Sequence, residues 1–261
     1  MDLTGKTVVV LGASARGGTG WATAELARGR GAEVVVAARG FDGVRALADE
    51  IGGLAVRCDA RVEAEVEALA EAAAARSGQI DIAVLAAGEP IPGSIDAADD
   101  AIWEQAWSAN FMAAVYFIRH MARRMGAGGA ISLVTTLAVG KATAGNAPYA
   151  SAKAAGDALI RHAAIEYAPR GIRVNGVAAG HIDSPMSAAV KAMPEMWALF
   201  MREVPLHRPV APAEVGAACL WLASPEAAVT GAVLPVDNGS HLLRLPQAEE
   251  LTSSPFSSEP N

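Results

Sequence analysis

Residues 8–27 read VVVLGASARGGTGWATAELA. An apolar run, Val8–Leu11, stops at Gly12. Three more glycines follow, at 17, 18 and 20, and an Ala-rich segment then runs on with helical spacing. Small residues between a first strand and a first helix let a backbone approach a phosphate closely, and the helix start offers unpaired N–H groups and the positive end of its dipole. An ordinary tight strand-to-helix turn is the other reading of the same residues.

Outward from this unit the pattern repeats. Apolar runs occur at Thr7–Leu11, Val34–Ala38, Leu54–Val56, Ile80–Ala86, Ala130–Val134, Val174–Ala178 and Ala232–Val236. Helical segments separate them: Gly20–Arg30, Val44–Ile51, Val62–Ser77, Asp100–Met125, Tyr149–Ala168 and Ala213–Ala223. Strands buried on both faces read as continuous apolar runs, and strand–helix alternation implies a parallel sheet. The expectation is one α/β domain over residues 1–246, a doubly wound, seven-stranded parallel sheet flanked by helices. Pro235 cannot donate to a ladder, so the last strand belongs at an edge. Residues 247–261, rich in Ser, Pro and Glu, read as a disordered tail.

Composition narrows the function. Of 261 residues 52% are hydrophobic and 19% charged, enough for a large core. The net charge of −7 and the lack of a basic run argue against nucleic acid and anionic membranes. Cys58 and Cys219 are far apart and lack metal spacing, so they read as reduced, buried and inert. MDLTGKTVVV has no charged-then-apolar signal pattern, and no stretch is long and apolar enough to span a bilayer. A cytoplasmic protein without metal is expected.

Chemistry concentrates in ISLVTTLAVGKATAGNAPYASAKAA, residues 131–155. A strand-like run ends in Thr135 and Thr136, and Pro148 suits a helix start. Tyr149 and Lys153 then lie one helical turn apart on one face. An ammonium beside a phenol favours the phenolate and predicts a lowered tyrosine pKa, fit for proton transfer.

Together these stretches resemble the short-chain dehydrogenase/reductase superfamily in its Tyr-x-x-x-Lys branch, from about Leu3 to Ser240. The resemblance implies a Rossmann fold and a catalytic set of Asn110, Thr136, Tyr149 and Lys153. Thr136 stands for the family's serine, and Asn110 kinks its helix and anchors a water relay beside the lysine. In the first loop the resemblance implies cofactor contacts at Gly12, Ser14, Arg16, Gly18, Thr19 and Gly20. That loop is two residues longer than the usual Gly-x-x-x-Gly-x-Gly, as in the family's enoyl-acyl-carrier-protein reductases. Further contacts fall on Asp59 and Ala60, on Ala87 and Gly88, and on Gly180, Ile182 and Ser184, besides Tyr149 and Lys153. Asp59 could equally cap the helix that follows. Leu85 and Ala86 stand where the family has two asparagines, and Ala179 where it has proline.

The second strand ends in Ala38–Arg39, with no acid to take ribose hydroxyls. Arg39 and Arg16 could pair with a 2′-phosphate, or be solvated surface groups. Two such contacts predict NADP(H), preferred by roughly 10²-fold in kcat/KM. The resemblance implies that the Met- and aromatic-rich stretch 184–206 is a substrate lid, with Met186 and Trp197 against the substrate; its pattern alone also reads as an amphipathic core helix. The expected activity is interconversion of a ketone or aldehyde and a secondary alcohol, 3-oxoacyl reductase-like, on a bulky apolar small molecule. Reduction of an activated C=C bond and cofactor sensing without turnover remain alternatives. Apolar faces on the helices at 100–125 and 149–168 and on the last strand predict a homotetramer, a dimer of dimers.

Overall fold

The computed structural model describes residues 1–246 and Glu250. The expected tail thus lies, apart from Glu250, outside the described residues. Seven strands form one parallel sheet: β1 (Thr7–Leu11), β2 (Glu33–Ala38), β3 (Leu54–Arg57), β4 (Ile80–Leu85), β5 (Met125–Thr136), β6 (Arg173–Ala179) and β7 (Val233–Val236). Their order is β3-β2-β1-β4-β5-β6-β7. The chain turns back between β1 and β4, which pair directly. Ligands of such sheets bind outside the strand carboxyl ends at this switch.

The uninterrupted apolar runs are explained by burial on both faces. Val8, Val9, Val10 and Leu11 are all within 1% of complete burial. Each such side chain contributes about 1.5–3 kcal/mol relative to an exposed one. One face of the sheet packs on α1 (Thr19–Gly29), α2 (Phe41–Ile51) and a late helix, Pro212–Ala223. The other packs on α3 (Glu63–Ser77), Ala113–Arg123 and Ala147–Tyr167.

Three elements differ from the runs read in the sequence, the first of them by an irregular turn at Asn110, where the resemblance implied a kink. The helix expected over Asp100–Met125 is α4 (Asp100–Trp107), a π-helical turn at Ser108–Met112, and α5 (Ala113–Arg123). β5 begins at Met125 rather than Ala130, across a register shift against Ile80–Ile82. Its first residues, MGAGG, carry no apolar run, so the sequence pattern is blind to them. The stretch 184–206 is broken into a 3₁₀ turn, Pro185–Ser187, then α7 (Ala188–Lys191) and α8 (Pro194–Arg202). No residue of α8 is fully buried, so it is not a core helix. The catalytic-stretch helix is α6 (Ala147–Tyr167), with Pro148 in its first turn, and Pro212–Ala223 is α9. β7 lies at the sheet edge with Pro235 opposite Ala178, as the missing N–H requires. Among the described residues no helix is long and apolar enough to cross a membrane, and no cluster could hold a metal. Cys58 and Cys219 are buried free thiols, pushed up to about 12 by desolvation.

Candidate active site

Two adjoining cavities, of about 350 and about 340 Å³, open at the switch point. Both are lined by Gly12, Gly88, Glu89 and Met186, so they form one cleft with a β2 half and a β5 half.

The floor is main chain. Gly12 has φ +103, and a Cβ there would lie 2.4 Å from Ala87 N, so only glycine lets the β1 and β4 ends meet this closely. In the lengthened loop Arg16 and Gly17 are exposed and off the cleft, while Ala15, also exposed, lines its β5 half. Gly18, Thr19 and Gly20 still line the cleft. No side chain caps the first turn of α1 and no acid sits there, so its N–H groups are available to an anion.

In the β5 half, β5 delivers Thr136 and α6 delivers Tyr149 and Lys153. Thr136 Oγ1 accepts from Ala138 N at 3.2 Å, which leaves its own proton to donate. Burial raises the Tyr149 phenol, and a hydrogen bond with Thr136 opposes this. The lowered tyrosine pKa expected from the lysine is therefore not what the protein chain alone produces. Lys153 Nζ lies 6.0 Å from the Tyr149 ring centre and donates to Val134 O at 3.1 Å. Lys153 is itself 8% exposed, and desolvation lowers it to about 8 against the opposing charge of Asp157.

Asn110 sits in the π turn, 4% exposed. Its Oδ1 accepts from Glu89 N at 3.2 Å and its Nδ2 donates to Glu89 O at 3.0 Å and Ala106 O at 3.2 Å. A Cβ on Gly88 would lie 3.1 Å from both Asn110 Oδ1 and Lys153 Nζ. Asn110 thus stands behind the cleft floor, beside the lysine, and fixes the backbone that follows β4.

All residues expected to touch cofactor or substrate line the cleft except Arg16. Arg16 pairs with Glu50 and lies 4.5 Å over the Trp21 ring, on the outward-turned part of the loop. Arg39 lines the β2 half and pairs with Glu89 at 2.6 Å. Asp59 also lines it and is not a helix cap: α3 is capped without a side chain at Val62, and Asp59 accepts from Arg61 at 2.7 Å, which holds its carboxyl below the usual range. Over the β5 half lie Met186, Val190, Trp197 and Phe200 from the segment 184–206.

Sequence reasoning missed Glu89, His181 and Asp157. Glu89 and His181 are direct neighbours of the expected Gly88 and Gly180, and adjacency was the only signal. His181 is packed 4.7 Å from the Phe200 ring, and desolvation lowers it to about 4, so it is neutral near pH 7. Asp157 is one turn beyond Lys153 on α6, a spacing that could have been read. Burial raises its carboxyl, opposed by the Thr135 hydroxyl and by Lys153; Thr135 Oγ1 and Asp157 Oδ1 approach without forming a well-aligned bond.

A family model described as Enoyl-(Acyl carrier protein) reductase matches residues 12–241. The chain is 37% identical over 244 residues to cis-4-hydroxycyclohexanecarboxylate dehydrogenase of Sinomonas cyclohexanicum, covering 90% of this chain and 96% of that protein. The chain belongs to the short-chain dehydrogenase/reductase superfamily. It is also 34% identical over 251 residues to 7alpha-hydroxysteroid dehydrogenase of Escherichia coli K12, covering 92% and 95%. Among solved structures of the superfamily, a short-chain type dehydrogenase/reductase from Mycobacterium ulcerans superposes with TM-score 0.92 at 26% identity, covering 99% of this chain and 98% of that one. An actinorhodin polyketide ketoreductase variant with NADPH superposes with TM-score 0.83 at 28% identity, covering 90% and 97%. Dehydrogenases and ketoreductases dominate these relatives, which supports a carbonyl/alcohol oxidoreductase. Members of the superfamily bind a nicotinamide cofactor, and the main-chain floor and uncapped α1 fit one.

Proposed function

We propose that the protein is an NADP(H)-dependent oxidoreductase that interconverts a bulky alicyclic ketone and its secondary alcohol. The observation that carries this reading is Thr136, Tyr149 and Lys153 on one wall of a cleft whose other walls are glycine backbone and an apolar lid. When bound, the cofactor supplies or accepts the hydride. Gly12, Gly18, Thr19 and Gly20 would hold its phosphates, and Lys153 its nicotinamide ribose, with Gly180, Ile182 and Ser184 around the ring. Ser14, Asp59, Ala60, Ala87 and Gly88 would line its path.

In the reducing direction Tyr149 donates its proton to the substrate oxygen. The raised phenol pKa keeps that proton in place at neutral pH. Thr136 donates a hydrogen bond to the same oxygen and steadies its developing charge. Lys153 supplies a positive charge close to the phenol, and Asn110 anchors the relay that returns a proton. Met186, Trp197 and Phe200 exclude water and favour an apolar ring.

The lack of an acid at Ala38 and the position of Arg39 support NADP(H). With Arg16 held on Glu50 and Arg61 on Asp59, Arg39 is the arginine left to face a 2′-phosphate, so a preference of about tenfold replaces the larger one. The four-residue Tyr–Lys spacing favours a carbonyl over an activated C=C bond. Incubation with NADPH and a panel of ketones, quinones and enones tests the reading: cyclic ketones should be reduced, while nucleotide binding without turnover of any of them would indicate a sensor.

Self-association into a homotetramer is part of the same reading. Ile165 on α6, Trp107 on α4 and Trp221 on α9 are 77%, 46% and 47% exposed, which supports two apolar contact faces. Light scattering at micromolar concentration should give a tetramer mass; a monomer mass would refute it.

A further inference from the structure

Among the described residues, Glu89 is the one acidic side chain that lines both halves of the cleft. It directly follows Gly88, and its backbone is fixed at N and O by Asn110. One carboxylate oxygen is 2.6 Å from Arg39 Nη2. The other accepts from Gln105 Nε2 at 3.4 Å. The second arginine of this half, Arg61, is already bonded to Asp59 through Nε and Nη2. Among the described residues, both cations lining the β2 half therefore have carboxylate partners.

This inference rests on the reading of the cleft as a cofactor site. A dinucleotide with a free 2′-hydroxyl brings no charge to Arg39 and leaves its pair with Glu89 intact. A 2′-phosphate brings nearly two negative charges. It must share the guanidinium with Glu89 or displace it, and either way it lies next to a like charge that competes for the same partner. We propose that Glu89 is a selectivity residue that competes with the 2′-phosphate for Arg39 and so holds the preference for the phosphorylated cofactor low. Gln105 gives the displaced carboxylate somewhere to go, so the competition weakens phosphate binding without forbidding it. Glu89→Gln keeps shape and backbone contacts and removes only the charge.

The test is calorimetric titration of NADP⁺ and NAD⁺ into the unmodified protein, Glu89→Gln, Arg39→Ala and the double variant. Glu89→Gln should tighten NADP⁺ about tenfold and leave NAD⁺ within about twofold. In the Arg39→Ala background the same change should alter NADP⁺ binding by less than about threefold, because the contested group is gone. Glu89→Leu serves as a second variant and should move NADP⁺ in the same direction. Equal shifts for both nucleotides, no shift, or a gain that survives without Arg39 would overturn the assignment while leaving the cofactor site standing. Failure of the unmodified protein to bind either nucleotide would instead overturn the cofactor reading itself, and this inference with it.

Discussion

Lys153 and Arg39 both line the cleft, one in each half, and their surroundings are opposite. Lys153 is 8% exposed, is held by a main-chain carbonyl, and has its pKa brought down to about 8 by desolvation. The Arg39 side chain is 53% exposed and is held by a carboxylate. Burial governs the β5 half, where a few groups are worth much because water is excluded. Pairing governs the β2 half, where charges are many, wetter and matched. Substitutions in the first half should therefore change rate by large factors, and substitutions in the second should redistribute cofactor affinity by small ones.

The largest effect should come from Tyr149→Phe. Turnover on the best ketone should fall about 10³-fold, the usual range for losing a general acid, with NADPH affinity kept within a few-fold. Equal losses in rate and binding would erase the contrast between the halves. Thr136→Ala should cost about 10²-fold in kcat, whereas Thr136→Ser, which keeps the hydroxyl, should stay within a few-fold. Identical rates for Ala and Thr would remove Thr136 from the site.

In the other half the effects shrink. Arg39→Ala should lower the NADPH-over-NADH ratio in kcat/KM about tenfold, and Arg16→Ala should change it less than about twofold. A larger effect at Arg16 would mean that its pairing with Glu50 gives way when cofactor binds.

The mildest test is pH. Lys153 has a folded pKa below its ordinary value, so its proton leaves as pH rises through about 8. Reduction measured as kcat/KM should therefore decline on that limb. Asp157 holds the lysine's proton on, so Asp157→Asn should move the limb to lower pH. His181, at about 4, should add no step between pH 5 and 8.

What was legible in the sequence follows the same division. Gly12, Thr136, Tyr149 and Lys153 could be read because each sits at a fixed offset from a strand or helix boundary, and local pattern sets those boundaries. The strand run of β1 and the first turn of α6 begin where the residues say they should. Arg16, Arg39 and Glu89 could not be read in that way. Their roles depend on which long side chain meets which across the folded chain, and Glu50 and Glu89 are distant in sequence from the arginines they hold. The early start of β5 was hidden because a Gly-rich strand end leaves no periodic trace; the inserted residue of the turn at Asn110 leaves none either, and the kink there was expected from the family resemblance alone.

The central claim is that this cleft moves hydride to a carbonyl with Tyr149 as proton donor. A cyclic enone offers a C=O and a C=C bond in one molecule, so its product decides the matter. With NADPH and the unmodified protein, the account predicts the allylic alcohol with the double bond intact, formed about 10³-fold more slowly by Tyr149→Phe. A saturated ketone as the product, or an undiminished yield from Tyr149→Phe, would contradict it.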